Sequence, residues 1–338
     1  MVKADGYGLG ARPVAQALAA AGCRAFFVAA IDEGIAIRSV LPADARIFVL
    51  NGPMGAGTGA DFDRYGLTPV LNCPEDVAVW GDHARANGGR RAVLALDTGM
   101  SRLGHSPAEA RALAADPGRL DGISLDYVMS HLACGEERGN AMNEDQRRRF
   151  DELRGALPPA RASFANSSGI FLGGPFLYDL ARPGAAIYGV SRSTGATTSL
   201  SQVIVLKGKV LQVRDVDSES TVGYGATQRV PSGTRLATVA VGYADGYFRT
   251  LSSRGHGYAA GVRVPIVGRV SMDLVTFDIT AVPAGAVRPG SEIELINDRH
   301  TVDDLADEAG TIGYEILTAL GRRYGRVYVG GPAAKETP

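Results

Sequence analysis

From Ala11 to Gly189, short runs of β-branched and aromatic residues alternate with helix-periodic runs, and no other property of the chain limits its fold as strongly. The apolar runs are Ala25–Ala30, Arg46–Leu50, Leu67–Leu71, Ala92–Leu96, Ile123–Met129, Ala162–Ala165 and Leu177–Ala181, with Met1-Val2 reading as the end of one more. Between them lie helix candidates such as Pro13–Ala21, closed by Gly22, and Ser106–Ala115, which opens on a serine cap and a proline. Repeated strand-then-helix units predict a parallel sheet, because a parallel neighbour is reached only by crossing back over one face. Counted with the stub there are about eight units, the number that closes a barrel. The expectation is an α/β fold: a TIM-like (β/α)8 barrel, its first strand truncated, over residues 1–197.

Beyond that point the rhythm changes to strands such as Val203–Val213, Leu236–Val241, Val262–Val270 and Glu292–Leu295, separated by Gly, Pro and Asp turns. A helix is expected over Val302–Ala309 and a second after Tyr314. Residues 198–338 therefore read as a separate, mostly β C-terminal domain, and a length of 338 residues with 45% hydrophobic content supplies two cores. Thirty-five Lys and Arg against 36 Asp and Glu, with no block of like charge, propose neither a nucleic-acid nor a membrane partner. Cys23, Cys73 and Cys134 are far apart and odd in number, so neither a disulfide framework nor a cysteine zinc site is expected, and no metal is called for. With no signal-peptide core and no long uncharged run, the expected location is the cytoplasm.

Barrel enzymes place their chemistry at the C-terminal ends of the strands. Those ends here yield Lys3, then Asp97-Thr98-Gly99-Met100-Ser101-Arg102, Ser130-His131, Asn166-Ser167-Ser168 and Arg182-Pro183-Gly184. Singly, each has an ordinary reading as a solvated lysine, a core histidine, a helix cap or a tight turn. Five polar strand ends aimed at one rim are better explained by a site. Lys3-Ala4-Asp5-Gly6-Tyr7-Gly8-Leu9-Gly10 is the most telling, because a lysine at a strand end before a Gly-rich turn can project a desolvated amine into the barrel mouth as a nucleophile.

That segment resembles the lysine motif of alanine racemases. Further matches follow in the family's order: Asp97 to Gly104, Ser130 to Ala133, Asn166 to Ser168, Arg182 to Gly189, Val222-Gly223-Tyr224-Gly225-Ala226, Val241 to Gly246, Gly268 to Asp273 and Thr311 to Glu315. The ordered set covers Lys3 to about Tyr328. The resemblance implies pyridoxal 5'-phosphate as cofactor and two-base interconversion of L- and D-alanine, supplying D-alanine for bacterial peptidoglycan.

The resemblance also implies roles. Lys3 carries the cofactor and is the base on one face of Cα; Tyr224 is the base on the other. Phosphate contacts fall to the hydroxyls of Tyr7, Ser167 and Tyr314 and to the backbone N–H groups of Gly184 and Ala185, and Asn166 is a further implied cofactor contact. Arg182 faces the pyridine nitrogen, and as a permanent donor it leaves that nitrogen unprotonated, which suits racemisation. His131 lies near the ring and links Tyr224 to Arg182, and Arg102 touches the ring oxygen and the substrate side. Tyr243, Met272 and Asp273 are implied substrate contacts reaching, with Tyr224, into the other subunit's site, so a homodimer with shared active sites is expected.

Two departures qualify this. The family lysine two residues before Asp97, often carbamylated, is Ala95 here, so the partner of Arg102 is expected to be a bound anion such as chloride, or an ordered water. Only Met1-Val2 precede Lys3 where the family carries a further strand and helix, so a start upstream of Met1, or an open barrel with a frayed lysine, is expected. The alternatives on the same scaffold are a broad-specificity or serine racemase and a truncated, inactive racemase; a non-catalytic carrier of the cofactor is disfavoured by the β domain.

Overall fold

The computed structural model describes residues 1–55, 57–191 and 200–330, so the expected domain boundary at 197/198 lies outside the described residues, as does most of the tail after Val329. The chain divides into two compact units. In the first, β1 (Ala25–Val28), β2 (Arg46–Val49), β3 (Leu67–Leu71), β4 (Arg90–Ala95), β5 (Ile123–Met129) and β6 (Arg161–Ser163) form one parallel sheet in sequence order. Strands β1 to β5 bury apolar residues on both faces. Phe27, Phe48, Val70, Val93, Tyr127 and Met129 pack together on the concave side, while their neighbours Phe26, Val28, Ile47, Val49, Leu71, Leu94 and Val128 pack towards the helices. Adjacent residues thus enter different cores, which is why the strands read as unbroken apolar runs.

The helices follow their sequence signals. Ser106 caps the helix Pro107–Ala115, accepting from Glu109 N at 3.3 Å while Glu109 accepts from Ser106 N at 2.8 Å.

The expected strand at Leu177–Ala181 does not form. Tyr178 adopts φ +48°, which breaks an extended path, yet Asp179 N donates to Ala162 O at 3.0 Å and Arg182 N to Ala165 O at 2.8 Å. At the other edge Val2 N donates to Phe27 O at 2.9 Å, and Met1 N donates to Pro183 O at 3.0 Å. Isolated hydrogen bonds therefore bring Met1-Val2 between β1 and the 182–183 segment, and Val2 is fully buried. Lys3 is not left on a frayed end.

In the second unit, β7 (Leu206–Asp215), β10 (Arg235–Val239), β11 (His256–Ala259), β12 (Val262–Pro265), β13 (Val275–Asp278) and β14 (Glu292–Ile296) make an antiparallel sheet ordered β12-β11-β14-β7-β10-β13, and β8 (Ser220–Val222) pairs with β9 (Gln228–Val230). The helices Val302–Ala309 and Gly313–Ala319 stand where expected. The expected strand Val262–Val270 stops at Pro265, whose missing N–H cannot extend the ladder.

Candidate active site

The residues singled out at the barrel rim meet. Lys3 opens a turn of left-handed backbone in which Ala4, Asp5, Gly6 and Tyr7 have φ between +52° and +63°. Such a conformation costs roughly 1–2 kcal/mol per non-glycine residue. It is held by Gly6 N to Val2 O at 3.0 Å, Gly8 N to Ala4 O at 2.8 Å and Gly10 N to Asp5 O at 2.8 Å. Glu33 adds a clamp, accepting from Ala4 N at 2.7 Å through one carboxylate oxygen and from Ala29 N at 2.7 Å through the other. Desolvation lowers the Lys3 pKa, and the charge of Arg102 lowers it further, against a smaller opposing pull from Glu33. A perturbed amine at Lys3 and strained backbone in the residues that follow it share one turn, as at functional positions.

Arg182 is a buried guanidinium. One terminal nitrogen donates to Ser163 Oγ at 2.5 Å, and the other to Ser130 O at 2.5 Å and Phe164 O at 3.3 Å. That second nitrogen also stands 3.5 Å from His131 Nδ1. Burial brings the Arg182 pKa down to about 10, so it remains a cation at neutrality. Desolvation and the charges of Arg182, Arg102 and Lys3 hold His131 down at about 3, so its ring is neutral. Gln146 fixes this loop, donating to His131 O at 2.9 Å and Thr98 Oγ1 at 3.2 Å and accepting from Ala133 N at 2.8 Å.

The neutral histidine makes stability depend on acid. An unfolded histidine takes a proton near pH 6.5, whereas folded His131 refuses one down to about pH 3, so protons favour the unfolded chain between these values. The contribution is fully present above about pH 6.5 and is lost as pH falls towards 3. Urea midpoints are expected to drop more steeply from pH 7 to pH 5 in the wild type than in His131→Gln. Equal slopes would assign the acid sensitivity to other groups.

A third cluster forms an anion cradle. Ser167 Oγ accepts from Gly184 N at 2.9 Å and Ala186 N at 3.2 Å, beneath the cap in which Asn166 Oδ1 accepts from Gly169 N at 2.9 Å. The buried Tyr7 hydroxyl closes the other side: a Cβ at Gly184 would lie 2.4 Å from Tyr7 Oη. The space is kept bare at glycine and ringed by donors, which fits a phosphate group. Ala185 is fully buried behind it.

Arg102 is exposed, and among the described residues no carboxylate pairs with it. Ala95, buried in the concave cluster, offers its carbonyl to His105 N at 2.8 Å and is near His105 Nδ1 at 3.0 Å. The Arg102 loop is shaped instead by Asp97 Oδ1, which accepts from Gly99, Met100 and Ser101 N–H groups at 2.8, 2.9 and 3.1 Å. Glu33, Gln146 and Ser163 were not singled out from the sequence. The acidic start of the helix Ile31–Arg38 is a signal for Glu33, but none distinguishes Gln146.

The remaining site residues belong to the second unit, on neighbouring turns. Tyr224 stands on a turn with Gly223 at φ +75° and Gly225 at φ +77°, against Arg269, and is 73% exposed. Tyr243 N donates to Ser271 O at 3.0 Å and Ala244 N to Met272 O at 3.0 Å, joining the 242–246 and 270–274 loops. A Cβ at Gly242 would sit 2.2 Å from Met272 O, so only glycine allows this approach. Asp273 pairs with Arg323 at 2.7 Å, and Arg323 also grips the buried Asp245 at 2.6 and 2.9 Å. Tyr314 lies on the first turn of Gly313–Ala319.

This arrangement has known counterparts. The family models of the alanine racemase N-terminal domain and C-terminal domain match residues 1–192 and 203–328. The alanine racemase of Rhodospirillum rubrum is 51% identical over 332 residues, 98% of this chain and 88% of that protein. The catabolic alanine racemase of Agrobacterium fabrum is 48% identical over 97% of this chain and 85% of its own length. The crystal structure of the Bartonella henselae alanine racemase, with covalently bound pyridoxal phosphate, superposes with a TM-score of 0.91 at 38% identity, covering 97% of this chain and 91% of that one. With its motifs in order, its rim residues gathered and both domains matched, the chain belongs to the alanine racemase family.

Proposed function

We propose that this chain interconverts L- and D-alanine with pyridoxal phosphate by a two-base mechanism, supplying D-alanine for peptidoglycan. The observation that carries the reading is the desolvated Lys3 amine, on a strained turn, beside the buried Arg182 and neutral His131. Tyr7, Ser167, Gly184, Ala185 and Tyr314 would hold the phosphate, Asn166 would stand among the cofactor contacts, and Lys3 would hold the cofactor carbon. The bound cofactor would draw electrons away from the substrate Cα.

Arg182 presents a donor that cannot accept a proton, so a pyridine nitrogen held against it would stay unprotonated. Lys3 Nζ moves the proton on one face of Cα and Tyr224 Oη on the other, with His131 linking the tyrosine to Arg182. Arg102, Tyr243, Met272 and Asp273 orient the substrate. We place the barrel at 1–197 and the β domain at 198–338, in a cytoplasmic homodimer in which Tyr224, Tyr243, Met272 and Asp273 of one subunit serve the site of the other. The exposure of Tyr224, Tyr243, Met272, Leu274 and Ile312 supports such a partner. Among the described residues no helix is long and apolar enough to cross a membrane.

The test is loss of optical activity from each alanine enantiomer in deuterium oxide, with deuterium appearing at Cα. Rotation that persists while the cofactor stays bound would overturn the reading. The cradle has its own test: Gly184→Ala is expected to weaken cofactor retention at least about tenfold, since its Cβ meets Tyr7 Oη at 2.4 Å. Cofactor fluorescence during dialysis checks this, and retention equal to wild type would remove Gly184 from the phosphate site.

A further inference from the structure

The β unit holds a second group of chemically capable side chains, largely buried. His256 on β11, His300 in the turn after β14 and Glu308 on the helix Val302–Ala309 present ligand atoms within 4.8 Å of one another. His256 Nδ1 is 2.5 Å from Glu308 Oε1, His300 Nε2 is 3.4 Å from Glu308 Oε2, and the two imidazoles stack with centroids 3.9 Å apart. The cluster is poorly satisfied by protein alone. His300 is 1% exposed, its Nδ1 has no hydrogen-bond partner, and its Nε2 and Glu308 Oε2 meet only in that long ion pair, without hydrogen-bond geometry. The buried Tyr247 hydroxyl, also unpartnered, feels the charge of Glu308.

Buried polar atoms left unpaired cost about 1–3 kcal/mol each, so their coincidence at one point calls for a further group. His256 Nδ1 adds a conflict: it faces the Glu308 carboxylate, which needs a donor, and the Arg263 guanidinium at 3.2 Å, which needs an acceptor. One ring nitrogen cannot serve both.

We propose that His256, His300 and Glu308 bind one divalent first-row transition-metal ion of the zinc class. A cation satisfies the lone pairs of both imidazoles and the carboxylate together, and two histidines with one glutamate make a donor set suited to such ions. Tetrahedral ligands on bonds of about 2.0–2.2 Å stand roughly 3.3–3.5 Å apart, within small side-chain rotations of the distances present. Arg263, on an exposed position of β12, would give up its contact with His256 for solvent when the ion binds. The sequence carries no sign of this, because the ligands are separated by 44 and 8 residues and follow no spacing motif. The inference is independent of the proposed racemisation.

The test uses tag-free, chelator-stripped holoenzyme titrated with Co²⁺. One equivalent per chain, visible ligand-field bands of low-symmetry cobalt, displacement by Zn²⁺ and a raised Tm are expected. His300→Ala and the near-isosteric Glu308→Gln are each expected to weaken binding at least about tenfold, whereas His83→Ala in the barrel unit leaves it unchanged. If His300→Ala fails to fold, Glu308→Gln decides the matter. Wild-type protein that shows neither bands nor stoichiometric uptake, or Glu308→Gln that binds as tightly as wild type, overturns the site and leaves a closed histidine–carboxylate cluster.

Discussion

Lys3→Ala is expected to lower racemisation of both alanine enantiomers by at least about 10⁴-fold, because one substitution removes a nucleophile and a proton-transfer group together. The amine is tuned for both tasks. Desolvation and the nearby charge of Arg102 lower its pKa, which raises the fraction able to attack a carbonyl or take a proton. Its backbone is fixed by the left-handed turn and by Glu33, so the side chain departs from one defined point. Lys3→Arg separates charge from reactivity, since a guanidinium keeps the positive charge and cannot lose its proton near neutrality. It should be nearly as inactive as the alanine variant. Retention of more than a tenth of wild-type rate in either variant, with near-UV circular dichroism unchanged, would show that Lys3 is not the reacting amine.

How far the sequence disclosed this molecule depends on the scale of the signal. Strands β1 to β5 were legible because each carries an apolar run between helix-periodic segments and buries residues on both faces, whereas β6 was marked by the apolar run Ala162–Ala165 that begins inside it. The run Leu177–Ala181 carries the same composition, yet Tyr178 turns to positive φ and the segment joins its neighbour through single hydrogen bonds. Composition reports neither burial nor backbone path there, since Leu177 is exposed and the rest of the run is at most half-buried. In the β unit the three- and four-residue strands β8, β9, β11 and β13 were not anticipated, since pairing rather than pattern makes them strands.

The site divides in the same way. Residues that would touch cofactor or substrate fall in short glycine-rich strings at strand ends and were read directly. Those that hold them, Glu33 clamping the Lys3 turn and Gln146 bracing the His131 loop, act through hydrogen bonds to main chain 29 and 15 residues away. No local pattern marks a side chain whose partner is a distant carbonyl or N–H group. The His256, His300 and Glu308 cluster was illegible for the same reason: its meaning lies in convergence from three elements.

Tyr224→Phe should produce a different defect from loss of Lys3. Removing one oxygen from an exposed side chain between Gly223 and Gly225 leaves packing untouched, so Tm is expected to stay at the wild-type value. Racemisation needs proton exchange on both faces of Cα, and is expected to fall by about 10²–10⁴-fold, the range for one acid–base group. Exchange on the Lys3 face alone needs no tyrosine. One enantiomer should therefore continue to take up solvent deuterium at Cα with retention of configuration, while the other exchanges slowly. Lys3→Ala abolishes both exchanges, so comparison of the two variants assigns a face to each base. If Tyr224→Phe slows exchange of both enantiomers equally, a single group serves both faces and the two-base reading fails. If it alters neither, the second base lies elsewhere, and Tyr243, the other exposed tyrosine at the 270–274 loop, is the next residue to replace.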